Sequence, residues 1–164
     1  MYLIFSASAD NYITNKIIST TMSASDANVG QASTLDLYKI YDESDFTGYT
    51  GSYSAPTEIS RALIKFDLNE VSSSISKYAE LNGFKAYLNL KDINGPQIAP
   101  DKFTLAVFPL SKSWDEGRGS DIYSFSDLDQ SNWVTSSYSD GNYIFWNTQG
   151  ASSLGYLNST DIDI

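Results

Sequence analysis

The chain contains no cysteine and no histidine. Without cysteine there is no disulfide, no thiol nucleophile and no zinc–thiolate site. Without histidine, the commonest general base, the usual partner of a serine nucleophile and the usual transition-metal ligand are all missing. Positive charge is scarce as well. Ten Lys and Arg stand against 20 Asp and Glu, a net charge of −10 with a pI near 4.2. A chain so acidic repels nucleic acid and anionic membrane, and its charge favours solubility and cation binding. Long apolar runs are lacking: no stretch approaches the roughly 20 apolar residues of a membrane span. The apolar start from Met1 to Phe5 has neither the basic region nor the apolar run of a signal peptide. The expectation is a chain that works without secretion, or one whose leader has been removed.

What the chain does have is β character. It has 12 tyrosines among its 164 residues, many serines and no alanine-rich helical segment. That length is one domain by the usual prior, and a chain of that size buries roughly two-thirds of its unfolded surface without staples. The clearest pattern is RALIKFDL, from Arg61 to Leu68. Ala62, Ile64, Phe66 and Leu68 alternate with Arg61, Leu63, Lys65 and Asp67, which is the period of a strand with one face on the core. The first set is expected inside, the second on a solvated face.

Other strands are expected at Tyr2 to Phe5, Tyr12 to Ile18, Leu35 to Tyr41, Phe84 to Lys91, Phe103 to Leu110 and Tyr143 to Trp146. The last follows the turn Asp140-Gly141-Asn142. Polar stretches from Ser19 to Ser33 and from Asp42 to Thr57 read as long loops. Asn69 is placed to cap a brief helix carrying Val71, Ile75 and Tyr78. Several short strands split by turns predict an antiparallel two-sheet sandwich or jelly roll. Its core would take Ala62, Ile64, Phe66, Phe84, Ala86, Leu88, Leu105 and Val107.

A spaced set of motifs runs through the chain. These are Ala9-Asp10-Asn11-Tyr12-Ile13, Asn28-Val29-Gly30, the Arg61 strand, Trp114-Asp115-Glu116-Gly117-Arg118-Gly119, Asn132-Trp133 and Trp146. In that order they resemble the DNRLRE domain family, jelly-roll domains similar to carbohydrate-binding modules and found on surface and phage proteins. The chain departs from the pattern in its longer Asp42 to Thr57 loop, its insert before Phe84 and a lone Gly150 where a glycine pair is expected. The resemblance also implies further strands after the alternating stretch Asp161 to Ile164. The expectation is one jelly-roll domain over residues 1–164, the N-terminal part of a longer protein, or one completed by another chain's strand.

Candidate sites follow. Asp115 and Glu116, flanked by Trp114 and two glycines and joined by Asp10 and Asn28, are oxygen donors of the kind calcium takes. The alternative is a turn in which Trp114 plugs the core and Glu116 bonds nearby amides. Trp133, Tyr123, Tyr138, Tyr143, Tyr49 and Tyr53 are candidates for stacking on a sugar or a partner chain, although Trp133 is also a candidate core residue. Trp146 reads as core. Asn158-Ser159-Thr160 fits a glycosylation sequon. Paired carboxylates can hydrolyse a glycoside without histidine, but Asp115 and Glu116 are chain neighbours and point apart.

The expectation is therefore a non-enzymatic structural or binding module. It would be a phage virion component, in capsid decoration, tail or fibre, with other virion chains as partners and with neither nucleic acid nor membrane insertion. The alternative is a secreted or cell-surface carbohydrate-binding module.

Overall fold

The computed structural model describes residues 3–19, 22–41, 57–69, 71, 85–93, 103–124, 129–152 and 161. Among these the chain is all-β, with antiparallel pairing throughout and essentially no helix. The strands are β1 (Ala7–Thr14), β2 (Ile17–Ser19), β3 (Met22–Ser23), β4 (Lys39–Tyr41), β5 (Thr57–Phe66), β6 (Thr135–Ser139) and β7 (Asn142–Phe145). Sheet order is β1-β5-β4, with β2-β3 and β6-β7 as separate pairs. The chain divides into two compact units, one of residues Met1–Phe66 and Phe108–Ile164, the other Asp67–Val107.

In the larger unit the alternating Arg61 strand is the centre of its sheet, but the face it turns inward is not the expected one. β1 pairs with it so that Ile13 stands opposite Arg61 and Asn11 opposite Leu63. Leu63 and Ile13 are buried, and they join Trp133, Trp146 and Ala151 in the core, with Ile59, Leu110 and Trp114 packed against it. The even-numbered residues Ala62, Ile64 and Phe66 are only half-buried and Leu68 is exposed. The reason is Arg61. Its guanidinium lies 5.0 Å from the centroid of the Trp133 ring and donates to the Gly150 carbonyl. Burial lowers its pKa, yet the flat cation and its aliphatic stem still fit an aromatic core face. Lys65 shares that face but is exposed beyond it.

Other expectations shift with the ladders. Among the described residues the first strand begins at Ala7, with Leu3 to Phe5 paired into no strand, and β4 takes only the end of the Leu35 to Tyr41 stretch. Residues 19–33, read as loop, contain β3 and a bridge at Ala27. β6 lies in a stretch where no strand is expected from the sequence. Its Thr135, Ser136 and Ser137 are all buried, so a run of hydroxyls occupies an interior strand. Thr135 Oγ1 donates to the Gln130 carbonyl at 2.8 Å and Ser136 Oγ to that of Ile144 at 3.1 Å, which meets the cost of burying them. The β6–β7 turn is Asp140-Gly141, with φ of 52° and 82° at the two positions, the left-handed pair of a type I′ hairpin.

In the smaller unit, residues 85–93 and 103–107 are described without strand pairing. Ala86, Leu88, Leu105 and Val107, expected in the core, are exposed there, and among the described residues of this unit no strand pairs with their segments. At the start of this unit the Asp67 carboxylate accepts from the Asn69 amide at 3.0 Å, an Asx turn. Phe84, Ile75, Tyr78, the loop residues 42–56 with Tyr49 and Tyr53, the sequon and Ile162 to Ile164 lie outside the described residues.

Candidate functional site

The spaced motifs converge on two buried asparagines. Asn28 is fully buried against the loops that carry Glu116 and Ser131. Its amide nitrogen donates to the Glu116 carbonyl and the Ser131 carbonyl, each at 2.8 Å. Its amide oxygen accepts from the Gly119 amide at 2.8 Å and the Gly30 amide at 3.2 Å. Asn11, also fully buried, donates to Ser131 at its carbonyl (2.9 Å) and hydroxyl (2.7 Å) and accepts from the Val29 amide. One side chain from β1 and one from the loop after β3 thus tie distant parts of the chain together. Two glycines make the approach possible. A Cβ on Gly30 would overlap the Glu116 carbonyl, and one on Gly119 the Asn28 carbonyl.

The expected metal ligands divide within this knot. Glu116 Oε1 accepts from the Asp10 amide at 2.9 Å, so these two residues do come together. Burial, then the Glu116 charge, raises the Asp10 carboxyl above its ordinary value. Asp115 is stitched to β6 instead. Its amide donates to the Ser136 carbonyl at 3.0 Å, and its carboxylate accepts from the Tyr138 amide at 3.3 Å. Among the described residues no group of three acidic, His or Cys side chains is placed to hold a metal. Trp114 packs against the core.

Trp133, a candidate contact residue, is in the core at 8% exposure, held under Arg61 and against the turn at Gly150, whose amide donates to the Trp133 carbonyl at 2.7 Å. Asn132 starts β6 through an Asx turn, its side-chain oxygen accepting from Val134 at 2.7 Å and Thr135 at 2.8 Å. The Trp146 indole donates to the Asn132 carbonyl at 2.7 Å, and Trp146 is buried.

Asp161 is a functional surprise of the architectural kind. Sequence reading placed it on an alternating strand; the structure buries it fully. Its two carboxylate oxygens accept from the amides of Asn147 (3.1 Å) and Thr148 (2.9 Å), while its carbonyl accepts from Ser111 (3.0 Å). The Asp-x-Asp alternation concealed a carboxylate with two backbone donors.

Among the described residues, two sets of neighbouring aromatics beside the sheets reach solvent. Tyr138 stands opposite Tyr143 across the β6–β7 pair, with ring centroids 5.3 Å apart, and Phe145 continues the row at 6.5 Å from Tyr143. All three are exposed, as is Ile144. Lys112 donates to the Phe145 carbonyl at 2.6 Å at one side of this hairpin. The second group lies on the other face of the β1-β5-β4 sheet from the core. Here the exposed Tyr123 and half-buried Tyr38 flank Lys16, and buried Tyr12 has its hydroxyl 3.5 Å from Asp36. Burial foremost, then Asp36, pushes the Tyr12 phenol far up; burial also raises Tyr38, against a hydrogen bond to Thr14 that lowers it. Sequence reading found Tyr123, Tyr138 and Tyr143 but missed Phe145, Tyr38 and Lys16. Strand alternation from Tyr143 was the available signal for Phe145.

No protein-family model, curated protein or solved structure matches this chain.

Proposed function

We propose that the chain is a non-enzymatic association module, a virion component whose sheets belong to a jelly-roll sandwich. The observation that carries this reading is the exposed row Tyr138, Tyr143 and Phe145 on β6–β7. Aromatic rings give a large rigid contact area and are enriched where chains meet. The acidic residues of the motif loops serve the fold's own amides, with Glu116 on Asp10 and Asp115 on Tyr138. The resemblance to DNRLRE domains, which occur in phage proteins, supports the virion setting. No part of the reading requires calcium.

The alternative, a secreted carbohydrate-binding module, draws on the exposed Tyr123 ring beside Lys16 and Tyr38. Sedimentation velocity of the full chain at micromolar concentration, with affinity electrophoresis through soluble polysaccharides, separates the two. Association is expected, and Tyr138→Ser with Tyr143→Ser and Phe145→Ser is expected to return the chain to monomer. A monomeric parent chain retarded by a polysaccharide would overturn the association reading in favour of the module.

A further inference from the structure

The β6–β7 pair has two outer edges, and they differ. Asp115 covers that of β6: its amide donates to the Ser136 carbonyl, and its carboxylate accepts from the Tyr138 amide. Tyr138 therefore turns its peptide groups away from β7. Tyr143, which stands opposite, turns its own N–H and carbonyl away from β6. Phe145, two residues on, has the same orientation, and its carbonyl accepts from Lys112 at 2.6 Å. Among the described residues nothing pairs with the Tyr143 N–H, the Tyr143 carbonyl or the Phe145 N–H. All four residues of β7 are exposed, so both faces of the strand reach solvent. The strand Asn142-Tyr143-Ile144-Phe145 has no charge and no proline, the usual guards of an open edge.

A second copy of the chain fits this edge. If two β7 strands run antiparallel about a twofold axis at Tyr143, the two Tyr143 residues exchange both N–H···O=C bonds. The bond from Lys112 to the Phe145 carbonyl stays in place. Phe145 falls opposite Gly141 of the second copy, where there is no side chain and open space. The same register sets Trp146 opposite Asp140 of the second copy. Lys112, on the Phe145 carbonyl and 3.4 Å from Asn147 Oδ1, is thereby brought beside that exposed Asp140. Opposite charges meet at both ends of an uncharged strand, in a chain whose net charge of −10 drives copies apart elsewhere.

We infer that β7 is a homodimerisation edge, which joins two hairpins into one four-stranded sheet β6-β7-β7-β6 with the aromatic row continuous across the twofold axis. The inference rests on the association reading and names its partner and its register.

The chain has no cysteine, so a single introduced one reports alone. Tyr143→Cys, Ile144→Cys and Phe145→Cys are each oxidised with diamide in the full chain at micromolar concentration. In this register the two 143 positions have Cα atoms about 5.5 Å apart, which suits a disulfide. The two 145 positions are offset by about 13 Å along the strands. Tyr143→Cys is expected to form covalent dimer at least about tenfold faster than the other two. Equal rates at all three positions, or the fastest rate at Ile144→Cys, would overturn the register. Lys112→Glu is expected to weaken the dimer about tenfold, and Asp140→Asn added to it to recover part of the loss; an unchanged dimer would overturn the charge pairing. In the parent chain, exchange of the Tyr143 amide is expected to slow as concentration rises, with that of Ile144, already bonded within the hairpin, unchanged. A parent that sediments as a dimer with no such protection at Tyr143 would overturn the strand pairing and leave the association reading standing. A monomeric parent would overturn both.

Discussion

At Asn28 a single amide serves four backbone groups, two carbonyls and two N–H groups, in a place with no water-facing surface. Truncation leaves all four without that partner, and each buried unsatisfied group costs about 1–3 kcal/mol. Asn28→Ala is therefore expected to lose at least about 3 kcal/mol in denaturant melts; a loss under about 1 kcal/mol would mean that water replaces the side chain. Asp10 gives a prediction in pH. Its carboxyl, raised by burial and by Glu116 above the ordinary 3.8, holds its proton more tightly in the folded chain than in the unfolded one. The fold then loses stability as pH rises from the ordinary value through the raised one, and the loss is complete above that window. Asp10→Asn is expected to be more stable than the parent at neutral pH, with the advantage vanishing below the window. Parallel stability curves across the whole range would rule out this linkage.

Among the elements, β5 and the β6–β7 hairpin set the architecture. On β5 the inward residue is Leu63, at 6% exposure, while Phe66 on the alternate parity is half-buried. Leu63→Ala is expected to cost about 2–5 kcal/mol, and Phe66→Ala clearly less despite the larger ring. The reverse order in urea melts would restore the opposite parity. At the hairpin, Gly141 has open space where a Cβ would stand but a φ of 82°. Gly141→Ala should therefore cost about 1–2 kcal/mol from backbone conformation alone, and Gly141→Asn markedly less, since asparagine tolerates the left-handed region. Equal costs for the two, measured in the same melts, would locate the loss in a contact instead.

The whole molecule is governed by its charge and its polar interior. With 20 acids and 10 bases, self-repulsion opposes the compact state, and salt weakens that repulsion over a screening length of about 10 Å at 0.1 M. The melting temperature is expected to rise with sodium chloride in the range where screening is the main effect. A flat or falling curve would mean that local attractive pairs outweigh the net charge. The larger unit has an apolar core of modest size, centred on Ile13, Leu63, Trp133, Trp146 and Ala151. Much of its buried remainder is Asn, Ser, Thr and Asp161, and among the described residues no buried side-chain nitrogen or oxygen lacks a hydrogen-bond partner. Loops here are held by amide and carboxylate side chains where a larger apolar core would otherwise hold them.

The sequence by itself determined the class and several local features. Period-2 alternation placed β5, the Asp140-Gly141 turn marked the hairpin, and the indole of Trp146 read as core because a large apolar ring is rarely left in water. The ordered motifs marked the residues that meet around Asn28 without stating what they do there. Tertiary structure decided the rest. The inward face of β5 depended on whether Arg61 could lie flat on Trp133, a contact 72 positions apart in the chain that alternation cannot register. β6 was hidden because Thr-Ser-Ser reads as loop until its hydroxyls find carbonyls to bond. Asp161 looked like one tooth of an alternating strand until two backbone amides converged on its carboxylate. In each case the deciding energy is a polar or cation–π contact between residues that are not adjacent in the chain. Such a contact exists only once the chain is folded, whereas periodicity reports only how each residue stands relative to its neighbours.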